Sequence, residues 1–167
     1  MRIILIGALV VLFPIAVAAR DNVDLPGNDY RNFSAPSANL CRNSCAGDLK
    51  CKAWAWVKAS KTCFFKDPLP QMVRNNCCSA GAREGIEEAD LKPEVGIDRP
   101  GQNFKDFSAT QTDCQRACAR ENACAVWVWA KPGVHGKNAH CWLKNGVPAP
   151  VLDANATSGV KLRRRLD

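Results

Sequence analysis

The sequence predicts an α+β protein built from two small disulfide-stapled modules, each a twisted antiparallel sheet with one packed helix. Three observations carry that prediction. The framework Cys41-x3-Cys45-x5-Cys51-x2-Trp54-x-Trp56 returns with the same spacing as Cys114-x3-Cys118-x5-Cys124-x2-Trp127-x-Trp129, so the chain holds one unit twice. Each unit is about 60 to 65 residues long, a size at which folding buries only about 60% of the unfolded surface and covalent staples are called for. The ten cysteines also follow an export signal, which places them in a compartment where bridges persist.

Residues 1–19 read as that signal. Arg2 supplies the basic start, Ile3 to Val17 is an apolar run, and Ala16-Val17-Ala18 fits a small-x-small cleavage site. The run is short for a membrane span, and no lipid-anchor pattern accompanies it. The mature chain is therefore expected to be secreted or periplasmic, with no transmembrane anchor. Its formal charge of +7 becomes 7 − 1 = +6 when Arg2 leaves, since positions 1–19 hold no acidic residue. That balance suits anionic glycans, acidic protein surfaces or headgroups without selecting among them. Module 1 is expected over 20–84, a short exposed acidic linker over 85–96, module 2 over 97–163 and a basic tail over 164–167. Asn32 and Asn155 open glycosylation sequons.

Within each module the helix comes first. Ala38 to Ala46, repeated as Thr112 to Ala119, starts on small or polar residues and contains no Pro or Gly. Cys41 and Cys45, like Cys114 and Cys118, then lie one turn apart on one face. A strand opening at Cys51 or Cys124 follows. On it Cys51, Ala53, Ala55 and Val57 are expected to face the helix, with Trp54 and Trp56 opposite. The chain turns at Ala59-Ser60, or at Pro132-Gly133 in the longer second loop, and returns as Thr62 to Lys66 or Ala139 to Lys144. This geometry pairs Cys41 with Cys63 around Cys45 with Cys51, and Cys114 with Cys141 around Cys118 with Cys124. An outer loop of that size contributes about 3 kcal/mol in the chain-entropy model. A zinc knuckle is the competing reading of the Cys-x3-Cys pairs, but each module lacks a second knuckle, and neither histidine has a counterpart in copy one. No metal and no cofactor is expected.

Taken together, Asp24-x-Pro26-Gly27, Tyr30-x-x-Phe33, the cysteine and tryptophan framework, Cys63-x-x-Lys66 and Ser79-Ala80-Gly81, with their second-copy partners, resemble the PAN/apple family over nearly the whole mature chain. The resemblance implies non-catalytic modules that recognise carbohydrate or protein surfaces, and the same nested bridges. Cys77 and Cys78 depart from it, because copy two has Asn155 and Ala156 there. Neighbouring α-carbons lie about 3.8 Å apart, below the usual disulfide window of roughly 4.4 to 6.8 Å. A strained bridge between the two, a staple to another element of module 1 and an intermolecular bridge all stay open.

Candidate ligand-binding residues are the alternating tryptophans Trp54, Trp56, Trp127 and Trp129, which could form an aromatic platform or a core. The basic residues matched between the copies, Lys58 with Lys131, Arg31 with Lys105, Lys66 with Lys144 and Arg83 with Lys161, are further candidates, while Trp142, beside Cys141 where copy one has Phe64, reads as core. Loop Lys131 to His140 is the longer hairpin tip, where one scaffold usually changes partner. No nucleophile elbow, His-Glu-x-x-His or phosphate loop is present, so no catalytic residue is expected. A nucleic-acid partner is not expected after export. Three functions remain: a binder of carbohydrate, including anionic glycans; an accessory module that holds a protein such as a protease; and an envelope or matrix component joined through Cys77 or Cys78.

Overall fold

The computed structural model describes residues 19–86 and 91–163. Most of the signal segment, the middle of the linker and the basic tail thus lie outside the described residues. Module 1 contains β1 (Arg20–Asp24), β2 (Asp29–Ser34), α1 (Ala38–Gly47), β3 (Ala53–Val57), β4 (Thr62–Lys66), β5 (Val73–Ala82) and a 3-10 turn at Arg83–Gly85. Module 2 repeats the order with β6 (Glu94–Asp98), β7 (Asn103–Ser108), α2 (Gln111–Arg120), β8 (Val126–Ala130), β9 (His140–Lys144) and β10 (Val151–Val160). The sheets run β1-β5-β3-β4-β2 and β6-β10-β8-β9-β7, antiparallel throughout.

Both helices are started by a hydroxyl side chain. Ser37 Oγ accepts from Leu40 N at 3.4 Å and Thr110 Oγ1 from Asp113 N at 3.2 Å, satisfying an orphan donor of the first turn. At the other end the matched basic residues Arg83 and Lys161 do the capping. Arg83 donates to Cys45 O and Ala46 O, and Lys161 to Cys118 O, Ala119 O and Glu121 O, a favourable place for a cation at the negative end of the helix dipole.

The bridges are nested. Cys41 bonds Cys63 and Cys45 bonds Cys51; Cys114 bonds Cys141 and Cys118 bonds Cys124. The helix nevertheless lies on the opposite face of the central strand from the one expected. Trp54 packs with Cys41, Cys45, Cys63 and Phe65 under α1, while Ala53, Ala55 and Ala80 join Val23 and Leu25 on the far face. Cys51 and Cys124 precede their strands, in turns where the Cys51 and Cys124 amides donate to Asp48 O and Glu121 O. Strand alternation therefore cannot be counted from them. Opposite the tryptophans sit Gly81 and Gly159. A Cβ on Gly159 would lie 2.4 Å from Trp127 Nε1, so this glycine makes room for the indole, whereas a Cβ on Gly81 would meet the Ala19 backbone at 3.0 Å and Trp54 only at 3.5 Å.

Cys77 and Cys78 bond to each other, inside β5 rather than before it. With every cysteine bridged within the chain, none is left for an intermolecular bond. They occupy a bulged stretch, where the β1 register jumps from Ser79 to Arg74. The linker also differs from its expected form at its described ends. Ile86 and Leu91 pack on the module 1 core, and Glu94 is already in β6 and buried.

The modules touch through α1. Arg99, wholly buried, donates to both Glu94 carboxylate oxygens at 2.8 and 3.0 Å, to Ser44 Oγ at 3.0 Å and to Pro148 O at 2.8 Å. Asn43 and Ser158 donate to the same carboxylate at 3.1 and 2.7 Å. Burial pushes the Glu94 carboxyl up, but the Arg99 charge and these hydrogen bonds outweigh it and hold it below the usual carboxylate range. Gly47 makes the approach possible, since a Cβ there would lie 2.7 Å from methyls of both Val147 and Val160.

Candidate functional site

The sequence-predicted ligand residues are scattered. Trp54 and Trp127 are core, 2% and 4% exposed. Trp56 and Trp129 are half-buried and donate through Nε1 to Ala35 O and Ala109 O at 2.8 and 3.0 Å, tying the β2–α1 and β7–α2 connections to the central strand. Arg31 belongs to the joint, donating to Val147 O at 2.9 Å and lying 5.2 Å over the Phe33 ring. Lys58 bonds Asn22 Oδ1 and pairs with Asp21, and Lys131 bonds Ala154 O. Lys105 is exposed on β7, 5.9 Å from the Phe107 ring.

A different set of residues converges on the face of module 2 that points away from α2. Side chains on β9 alternate, so Cys141 and Leu143 enter the core under α2 while Trp142 and Lys144 project to the other side. There they wall an open cavity of about 280 Å³ floored by Val128, Ala130 and Ala156. Asp98 and Asn103 reach it from the β6–β7 corner, Asp153 from the β10 bulge and His135 from the long hairpin tip. Trp142 is held by its neighbours. His135 meets its ring edge-on at 4.9 Å and His140 lies 4.5 Å away, with His140 Nε2 3.0 Å from Asp106 Oδ1.

The polar groups of the cavity are oriented by backbone contacts. Asp98 accepts from Arg99 N at 2.7 Å and Asp153 from Asn155 N at 2.9 Å. Lys144 is buried, and its ammonium donates to Gly101 O at 3.0 Å and to Asn103 Oδ1. Its third donor has no acceptor among the described residues. Burial pushes the Lys144 ammonium down from its ordinary value, partly opposed by the Asp98 charge.

Module 1 carries the same scaffold with altered chemistry. Phe64 stands for Trp142, Asp29 for Asn103, Asn75 for Asp153 and Cys78 for Ala156. Its Lys66, with a side chain only 4% exposed, forms an ion pair with Asp29 and lies 5.5 Å from the Phe64 ring.

The PAN domain family matches residues 23–80 and 97–144, together more than half of the chain. The chain belongs to the PAN domain family. PAN domains are binding modules, and both matched segments fall one to a module. Micronemal protein 4 of Toxoplasma gondii is 30% identical over 103 residues, covering 57% of this chain and 16% of that protein. A protein of Acanthamoeba polyphaga mimivirus is 36% identical over 56 residues, covering 34% of this chain and again 16% of the relative. The chain thus spans 16% of the length of each of these curated relatives. Among solved structures, the two N-terminal apple domains of Toxoplasma gondii microneme protein 4 superpose with a TM-score of 0.36 at 19% identity, over 86% of this chain and 89% of that one. Toxoplasma gondii sporozoite AMA1, solved with a 36-residue region of RON2, gives 0.38 at 9% identity, over 77% and 57%.

Of the residues lining this cavity in the PAN tandem, Lys144 is one of the matched basic candidates, Trp142 reads from the sequence as core, and Asp98, Asn103 and Asp153 are not candidates in the sequence. Two signals pointed to the cavity: Lys144 recurs as Lys66, and Trp142 is an aromatic residue beside a bridged cysteine with an outward-facing register.

Proposed function

We propose that this chain is an exported carbohydrate-binding PAN tandem that takes one neutral sugar residue in the module 2 cavity. The carrying observation is the Trp142 ring beside an apolar floor, faced by the Asp98 and Asp153 carboxylates, Asn103 and the Lys144 ammonium. An aromatic face stacks on the C–H side of a pyranose, and carboxylates, amide and ammonium match hydroxyls that both donate and accept. Two carboxylates in the wall disfavour a sulfated or carboxylated sugar by like-charge repulsion. In this reading Trp54, Trp56, Trp127, Trp129 and Arg31 hold the scaffold, and Lys58, Lys131 and Lys105 stand outside the cavity. Export is supported by the five bridges and by the signal read in residues 1–19.

A glycan array run at two salt concentrations with the wild type and Trp142→Ala tests the proposal. Binding to neutral glycans that persists in salt and is lost in the variant supports it. Binding confined to sulfated glycans and erased by salt, or a variant that binds like the wild type, refutes it. A second reading, capture of a protein partner, is favoured by Val95 and Leu152, which are 80% and 78% exposed on neighbouring strands β6 and β10. Silence on the array with a pull-down partner lost in Leu152→Ser selects it.

A further inference from the structure

In a regular strand successive side chains point to opposite faces. The bulge of β5 breaks that rule at Cys77 and Cys78, turning both sulfurs to one side. They meet the carboxylate of Asp24, the last residue of β1, and the two sulfurs and a carboxylate oxygen lie within 4.8 Å of one another. Among the ten cysteines only Cys77 is partly exposed; the other nine are buried. One bridge is therefore open to attack from solvent, and three ligand atoms converge where it would open.

We propose that Cys77, Cys78 and Asp24 form a redox-gated site for a thiophilic divalent cation. The proposal does not depend on the carbohydrate reading. The gate is opened by a reductant of the dithiol class. One thiolate attacks Cys77 Sγ, forming a mixed disulfide and releasing Cys78, which takes up a proton. The second thiolate of the reductant then closes on the first sulfur, expels Cys77, which is protonated in turn, and leaves as the cyclic disulfide. Two electrons and two protons have passed to the protein. An incoming cation displaces the two thiol protons to solvent and binds two thiolates and the Asp24 carboxylate, with water completing the set. Exchange with the cyclic disulfide form of the same reductant class runs these steps in reverse: the Cys77–Cys78 bond re-forms, the cation is released, and the two electrons, with two protons from solvent, pass to the reagent as its dithiol. Module 2 provides an internal control, because Asp98 is retained there while Asn155 and Ala156 stand in place of the thiols.

The full-length chain, reduced with a dithiol under native conditions and freed of reductant, is titrated with Cd2+. Thiolate-to-metal absorption and native mass spectrometry provide the readouts, and alkylation with peptide mapping identifies the opened bridge. The proposal expects new thiols at Cys77 and Cys78 alone, one cadmium per reduced chain and none per bridged chain. Asp24→Asn keeps both cysteines and should weaken cadmium on the order of tenfold. Cys77→Ala/Cys78→Ala should abolish uptake. Any of four results overturns the proposal: no cadmium on a chain whose Cys77 and Cys78 are shown to be free, uptake by the bridged chain, uptake undiminished by Asp24→Asn, or opening of a buried bridge first.

Discussion

Helices α1 and α2 carry the same cysteines one turn apart, yet seven of the ten residues of α1 are buried and only Cys114 and Cys118 of α2 are. The difference lies in what covers the outer face. Module 2 packs on α1, and the residues that admit it are small or neutral: Asn43, Ser44 and Gly47. The matching positions of α2 hold Arg116, Ala117 and Arg120. On the receiving side, Glu94, Arg99 and Ser158 stand where module 1 has Arg20, Leu25 and Ala80. A joint made from one duplicated unit was thus written by changing each copy on the face that the other keeps plain. Among the described residues it is used once, and the outer face of α2 stays exposed and polar.

Breaking the joint at its centre should have the largest effect. Arg99→Leu installs the residue module 1 uses at the same place, but leaves Glu94 buried and charged. We expect a loss of about 3 to 5 kcal/mol in urea unfolding, with much of it recovered when Glu94→Gln is added. A double variant no more stable than Arg99→Leu would remove the ion pair from the account.

Next comes the contrast between the helices themselves. Gly47→Arg gives α1 the residue of α2 and drives a side chain into Val147 and Val160, which should cost about 1 to 3 kcal/mol and let the modules tumble separately in NMR relaxation. The converse change, Arg120→Gly, should cost no more than about 1 kcal/mol, the helix propensity of glycine. Equal effects would mean that the two faces are equivalent in solution.

Acid should loosen the joint as well. Because the folded-state pKa of Glu94 lies below its unfolded one, its contribution is complete above the ordinary carboxylate range and is lost as pH falls through the lower folded value. Urea midpoints measured across that range should fall less steeply for Glu94→Gln than for the wild type. Matching slopes would contradict this assignment. The smallest effects belong to the caps: Ser37→Ala and Thr110→Ala should each cost about 1 kcal/mol, similar in the two modules because the caps are repeated where the outer faces are not.

Much of this fold was legible in the sequence, because the spacings that encode it are local. Cysteines four apart need one helical turn, and a Trp-x-Trp run before a turn and a returning cysteine makes a hairpin. The side of the hairpin taken by the helix was misread because Cys51 and Cys124 belong to turns ahead of the strands, outside their alternation. The joint left a trace, Arg99 against Leu25, but its meaning needs Glu94 and Ser44, which are far apart in the chain. The cavity was hidden for a similar reason. Asp98, Trp142 and Asp153 meet only through the order β6-β10-β8-β9-β7, which lays the last strand beside the central hairpin and the first strand outside it at the edge.

Module 2, and not its module 1 counterpart, should hold the ligand. Calorimetric titration with the neutral sugar selected on the array measures this most directly. It should give one site per chain, lost in Trp142→Ala and retained in Phe64→Ala. Two sites per chain, or binding that survives Trp142→Ala and disappears with Phe64→Ala, would contradict it.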